Sequence, residues 1–143
     1  MPMTDCVFCE IVAGESPAVR VYEDERTLAF MDIFPGTDGH LLVIPRLHSR
    51  DLLEIGAEDL TAVTLAAQRI ARVVVEELGA DGVNLLNCCG AEAWQSVYHF
   101  HLHVVPRYAD QSKDALVPPW RPGISGDRAL LEELGGRLAS ALG

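Results

Sequence analysis

From about Glu58 to Leu78 the apolar residues Leu60, Val63, Ala67, Ile70, Val74 and Leu78 recur every three or four positions, and Gly79 stands where such a run would stop. That spacing predicts a long helix with one face laid on a sheet. The runs before it are shorter. Val19 to Tyr22 and Thr27 to Met31 flank the charged turn Glu23-Asp24-Glu25-Arg26 and predict a hairpin. The Pro/Gly-rich stretch "DIFPGTDGH" then leads into a strand from His40 to Pro45, and Gly82 to Asn87 and Phe100 to Pro106 read as two more. At the N-terminus Asp5 to Ala13 predicts a short helix, ended by Gly14 and the Ser16-Pro17 pair. A final helix is expected from about Asp127, with Leu130, Leu134, Leu138 and Leu142 on one stripe, although Gly135 and Gly136 weaken it. The elements sum to an α+β chain with an antiparallel sheet of about five strands, one long packing helix and two flanking helices.

Composition narrows the class. At 143 residues the chain fits a single domain, 1–143, and 49% hydrophobic with 22% charged residues is ordinary for a globular protein. We find neither repeats nor a linker. The first residues carry acids where a signal peptide would be basic, and no apolar stretch reaches membrane-spanning length, so a cytoplasmic protein without a membrane partner is expected. A net charge of −10 argues against broad nucleic-acid binding, yet leaves room for a small phosphorylated ligand in a local pocket. In a reducing compartment Cys6, Cys9, Cys88 and Cys89 are better read as thiols or metal ligands than as disulfides.

The segment "HFHLHVV" changes the picture. Three of the five histidines, His99, His101 and His103, alternate with apolar residues. On a strand, residues two apart point the same way, about 6.6 Å apart at a rise of ~3.3 Å per residue. The three imidazoles would share one face, looking into an open, wetter space, while Phe100, Leu102 and Val104 face a helix. Such a row can be tolerated surface, can bind a catalytic metal, or can supply a nucleophile, since imidazole is largely neutral at neutral pH and its bare nitrogen can attack phosphorus or carbonyl carbon. Spacing alone does not separate these. Likewise, Cys6-x-x-Cys9 is half of a plausible zinc site, or a helix burying two small thiols.

The longer segment "QSVYHFHLHVVPRY" closely resembles the signature of the histidine triad family of nucleotide hydrolases and transferases, and "CVFCEIVAGESPAVRVYEDERTLAFMDIFPGTDGHLLVIPRLH" resembles the family's N-terminal half. The likeness covers most of positions 5 to 107 and is nearest to the bacterial proteins similar to histidine triad nucleotide-binding proteins. It implies a reaction at the α-phosphate of a purine nucleoside monophosphate ester, anhydride or phosphoramidate. His101 would be the nucleophile, its other nitrogen fixed by a backbone carbonyl, that of His99. His103 would hold phosphate oxygens, Ser96 the leaving group or phosphate, and Gln95 would line the same cavity; His40 aligns with a fourth histidine beside the triad. Val7, Phe8, Phe30 and Ile33 match an apolar slot for the base, although as residues Phe8, Phe30 and Ile33 also read as ordinary core. Asp32 matches a carboxylate that binds the ribose hydroxyls.

The same resemblance completes a Cys2His2 set, Cys6, Cys9, His48 and His99, suited to structural Zn²⁺, with no cofactor required for catalysis. It also implies a homodimer formed through the long helix and a sheet edge. Two positions depart from the family. Cys88 stands where relatives carry Asn or Gln facing the phosphate, with Asn87 expected on the opposite strand face. Trp94 stands where many have Gly, and would either narrow the leaving-group side or stack on a substrate. Neighbouring thiols at Cys88 and Cys89 suggest redox sensing less than buried structure. After Tyr108 the match ends; Trp120 and Arg121 could shape specificity, but a surface loop and a packing helix are the simpler expectation. Three functions stay open: a nucleotidyl hydrolase or transferase, a nucleotide-binding regulator with incidental catalysis, and a metal-dependent hydrolase using the histidines as ligands.

Overall fold

A computed structural model of the protein describes residues 5–143. Helix α1 is Val7–Val12; strands β1 and β2 are Arg20–Glu23 and Thr27–Met31; β3 is Leu41–Pro45; the long helix α2 is Ala57–Leu78; β4 is Gly82–Asn87, β5 is Leu102–Arg107 and α3 is Arg128–Leu142. The five strands form one antiparallel sheet in the order β1-β2-β3-β5-β4. No described helix is long and apolar enough to cross a membrane.

The central strand explains the two-layer packing. Its sequence, LLVIP, is apolar without alternation because both faces are covered. Leu41 and Val43 pack with Ala29, Phe100, Val104 and the α2 residues Val63, Ala67, Ile70 and Val74. Leu42 and Ile44 point the other way and pack with Leu28, Phe30 and the α1 residues Phe8 and Ile11. The sheet is therefore sandwiched between a 22-residue helix on one face and a single short helix on the other. The thin side is where the histidines lie. Gly79 ends α2 in the left-handed region, φ 68°, where a side chain would be strained.

Two expectations are corrected. The last strand starts at Leu102 rather than Phe100, because the Phe100 amide donates to the Ser49 carbonyl across a loop at 2.6 Å instead of joining the ladder. His99 therefore sits in a bend and His101 on irregular chain leading into β5, and only His103 is on the strand. The leucine stripe of α3 was expected to pack, yet Leu130, Leu134, Leu138 and Leu142 are all exposed and α3 buries no residue. Its periodicity is helical, but among the described residues no surface covers it.

Candidate active site

The backbone sets where each ring carries its proton. A neutral imidazole has one N–H and one bare nitrogen, so the partner of one nitrogen fixes the other. His101 Nδ1 lies 2.8 Å from the His99 carbonyl, which can only accept; the proton is on Nδ1 and Nε2 is a free lone pair. His99 Nε2 donates to the Pro45 carbonyl at 2.8 Å, leaving its Nδ1 bare. For His40 the sense is reversed. The Gly36 amide donates to His40 Nδ1 at 2.9 Å, so the ring proton is on Nε2 and is donated to His103 Nδ1, 2.9 Å away. That leaves the proton of His103 on Nε2. The centroids of the His101 and His103 rings are 5.1 Å apart.

Burial keeps these rings neutral. The row was expected to face open water; instead His99 is fully buried and His101 only 5% exposed. The cover is α1. Phe8 stands nearly perpendicular to the His101 ring at a centroid distance of 5.1 Å and to the His99 ring at 5.9 Å. Loss of hydration disfavours the cation, so His101 and His40 are shifted below the ordinary imidazole range, and His103 is pushed down to about 4 by burial and then by the neighbouring His101 and His40. Asp32 opposes all three shifts but does not reverse them. Its Oδ2 lies 3.4 Å from His40 Nε2 and 4.0 Å from His103 Nδ1, while Oδ1 accepts the Phe34 amide at 2.8 Å. Asp32, His40 and His103 thus form a compact group, but a cation there would have to displace the very proton that His40 donates.

Around the rings the expected slot is partly built. Phe8 and Phe30 are buried and meet edge-on, centroids 5.3 Å apart. Val7 is half exposed, and Ile33 is 75% exposed, beside the loop after β2. Ser96 is on the surface. Gln95 is buried: its Oε1 accepts the Gly90 amide, and its Nε2 donates to the Arg50 and Val97 carbonyls, so the side chain fastens the loop before the triad. Trp94, in that loop, is the lone described non-glycine residue with positive φ, 73°, and its indole is exposed. Cys88 is buried just past the end of β4, with its thiol pushed up by burial. Asn87, expected on the far face, donates from Nδ2 to the His101 carbonyl at 2.9 Å, while its buried Oδ1 has no partner among the described residues. Gly36 and Pro45 carried no signal along the chain, because each acts through a backbone group, and Asn87, expected only to face away, acts onto one.

A second cluster adjoins the first. Cys6, Cys9, His48 and His99 bring their donor atoms within 4.8 Å of one another. Cys6 Sγ is 3.4 Å from His99 Nδ1, and Cys9 Sγ is 3.4 Å from His48 Nδ1 and 3.5 Å from His99 Nδ1. Tetrahedral zinc, with bonds of about 2.3 Å to sulfur and about 2.0 Å to nitrogen, separates such atoms by about 3.5 Å. The bare Nδ1 of His99 faces the thiols, and its Nε2–H is held by Pro45, the arrangement that orients a ligand imidazole. Burial and the adjacent Cys6 push the Cys9 thiol up to about 12; only a cation in the cluster would favour its thiolate. The residues present fit zinc.

Comparison with known proteins places this geometry among relatives. The sequence model of the HIT domain matches residues 13–110. "Protein hit" of Bacillus subtilis (strain 168) is 45% identical over 104 residues, covering 73% of this chain and 72% of the relative. A Zn-bound histidine triad family protein from Mycobacterium smegmatis superposes with a TM-score of 0.74 at 42% identity, over 96% of this chain and 98% of that one. The histidine triad nucleotide-binding protein from Candida albicans does so with a TM-score of 0.81 at 30% identity, over 96% of each chain.

Proposed function

The chain belongs to the HIT domain family, and on that ground we propose that it is a nucleotide-binding hydrolase or transferase acting through a nucleotidyl-histidine intermediate. The substrates are purine nucleoside monophosphate derivatives: phosphoramidates, mixed anhydrides or dinucleotides. The observation that carries this reading is the His101 ring, neutral, anchored by Nδ1–H on the His99 carbonyl, with Nε2 free to attack. In the first step the Nε2 lone pair bonds to the α-phosphorus and the bond to the leaving group breaks. An anhydride leaving group departs as an anion; an amine takes a solvent proton relayed by the Ser96 hydroxyl. Water or another acceptor then attacks phosphorus, the N–P bond breaks with its electron pair returning to Nε2, and the proton of the attacking hydroxyl passes to solvent.

The other residues take supporting roles. The His103 Nε2–H donates to a phosphate oxygen as charge builds, and Phe8, Phe30, Val7 and Ile33 receive the base. Asp32 accepts from the ribose hydroxyls, and Cys88 lies toward the phosphate. Zinc, held by Cys6, Cys9, His48 and His99, supplies structure rather than chemistry. Bound there, it would tie α1 to the chain leading into β5. A homodimer would cover Val75 and Leu78 of α2 and Leu85 and Leu86 of the edge strand β4, all exposed here. Four free thiols suit a cytoplasmic protein.

The deciding experiment is mass spectrometry of protein mixed briefly with an adenosine phosphoramidate. We expect one adenylyl adduct on the peptide carrying His101, and none in His101→Ala, which should lose at least ~10⁴-fold in kcat while still binding AMP. An adduct on another residue, or turnover that survives in His101→Ala, refutes the reading.

A further inference from the structure

The loop that sets the His40 proton is itself held from outside the segment that matches the family. Asp114 lies beyond residues 13–110, and its side chain is almost wholly buried. Its carboxylate accepts from Arg107 Nε at 2.7 Å and Nη2 at 3.3 Å, from the Tyr108 amide at 2.9 Å and from the Leu116 amide at 3.0 Å. These four bonds fold residues 108–116 back onto the end of β5. The folded-back segment then grips the loop before β3. Thr37 and Asp114 form an antiparallel bridge, the Asp38 amide donates to the Lys113 carbonyl at 3.0 Å, and the Tyr108 hydroxyl donates to the Asp38 carbonyl at 2.8 Å. Leu116 closes over Gly36 so tightly that a Cβ there would meet its methyls at 3.3 and 3.4 Å.

The contacts close a ring. His103 and Arg107 are four residues apart on β5, so both ends of the chain of contacts start from one rigid strand. From Arg107 it runs through Asp114 to Thr37 and the Gly36 amide, from there to His40 Nδ1, and from His40 Nε2–H back to His103 Nδ1. If Gly36 moved away, His40 would be free to carry its proton on Nδ1 instead. Its Nε2 would then accept rather than donate, and the His103 proton would move to Nδ1, away from the phosphate side.

We propose that Asp114 is a positioning residue: by clamping residues 36–38 it holds the Gly36 N–H on His40 and so keeps the His103 ring proton on Nε2, aimed at the substrate phosphate. The assignment of that proton's target rests on the nucleotidyl-transfer reading. The clamp itself does not.

The test uses the full chain and two readouts. Long-range ¹⁵N–¹H spectra distinguish bare from protonated ring nitrogens, and in wild type His40 and His103 should both show bare Nδ1 and protonated Nε2. In Asp114→Ala a second tautomer should appear on both rings. In phosphoramidate turnover, Asp114→Ala should lower kcat about tenfold with KM within about twofold, yet add no further loss in a His40→Leu background, because residues acting through one another are non-additive. Unchanged tautomers in Asp114→Ala, or an equal loss of kcat in both backgrounds, overturns the proposal. Should Asp114→Ala fail to fold, Gly36→Ala, which presses Leu116 and the loop apart, is read in the same two ways. The spectra keep this result separate from the fate of the nucleophile: a missing His101 adduct would leave the tautomer shift to stand or fall alone.

Discussion

A buried neutral histidine makes a commitment that an exposed one does not, and here four backbone groups make it: the carbonyls of His99 and Pro45, the amide of Gly36 and, through Asn87 on the His101 carbonyl, the end of β4. Neutrality has a cost in acid. His103 titrates at about 4 in the fold against 6.5 when free, so the unfolded chain takes up its proton first. The contribution of this ring to stability is complete above pH 6.5 and is lost as pH falls toward 4. Asp114, held down to about 2 by Arg107 and the backbone amides, adds a further loss only below 3.8. Urea midpoints taken from about pH 7 to about pH 4.5 should therefore fall steadily, and a flat series would contradict the burial of the triad. The alternation of histidines was legible because residue type and spacing are local. Their burial was not, since the cover comes from Phe8, more than ninety residues away in the chain.

Elements differ in how much of their existence is their own. The α2 helix carries its periodicity and its stop, and it appears over nearly the span its pattern indicates. At six residues α1 is too short to persist alone, and it is held by burying Phe8 and Ile11 and by Cys6 and Cys9 at its first turn. If zinc occupies the cluster, stripping it with a chelator, or replacing Cys9 with Ser, should lower the melting temperature by several degrees. Single-turnover adduct formation at 25 °C should persist, slowed by about tenfold at most, because no proposed step uses the ion and only the seat of the His101 ring on the His99 carbonyl is disturbed. Elemental analysis without zinc, together with a melting curve indifferent to chelator, would remove the structural metal; rates that vanish with the ion would favour a metal-dependent hydrolase. Misplacing the start of β5 has a similar root: the pattern of apolar residues continues through Phe100, but a carbonyl from another loop takes its amide.

For the whole molecule, strand order decides what is left over. Sequence indicated five strands and their antiparallel sense, but nothing local says that β5 inserts between β3 and β4, and that insertion is what places β4 at the edge. Leu85 and Leu86, exposed on opposite faces of that edge, flank the outer backbone of β4 and leave the edge most in need of cover. Replacing Leu86 with Arg should shift the protein from dimer to monomer in light scattering while leaving its far-UV spectrum unchanged; a monomeric wild type would refute the dimer. The exposed leucines of α3 show the same limit of local reading, since a stripe declares a helix but not its neighbour. The two centres, finally, meet in one residue: the ring of His99 lies among two sulfurs while its carbonyl steadies the ring of His101. Peroxide or a soft heavy metal that rearranged those sulfurs would tilt the bare Nε2 of His101, and on the proposed mechanism an inhibition assay would record loss of rate from a compound that never touches the triad.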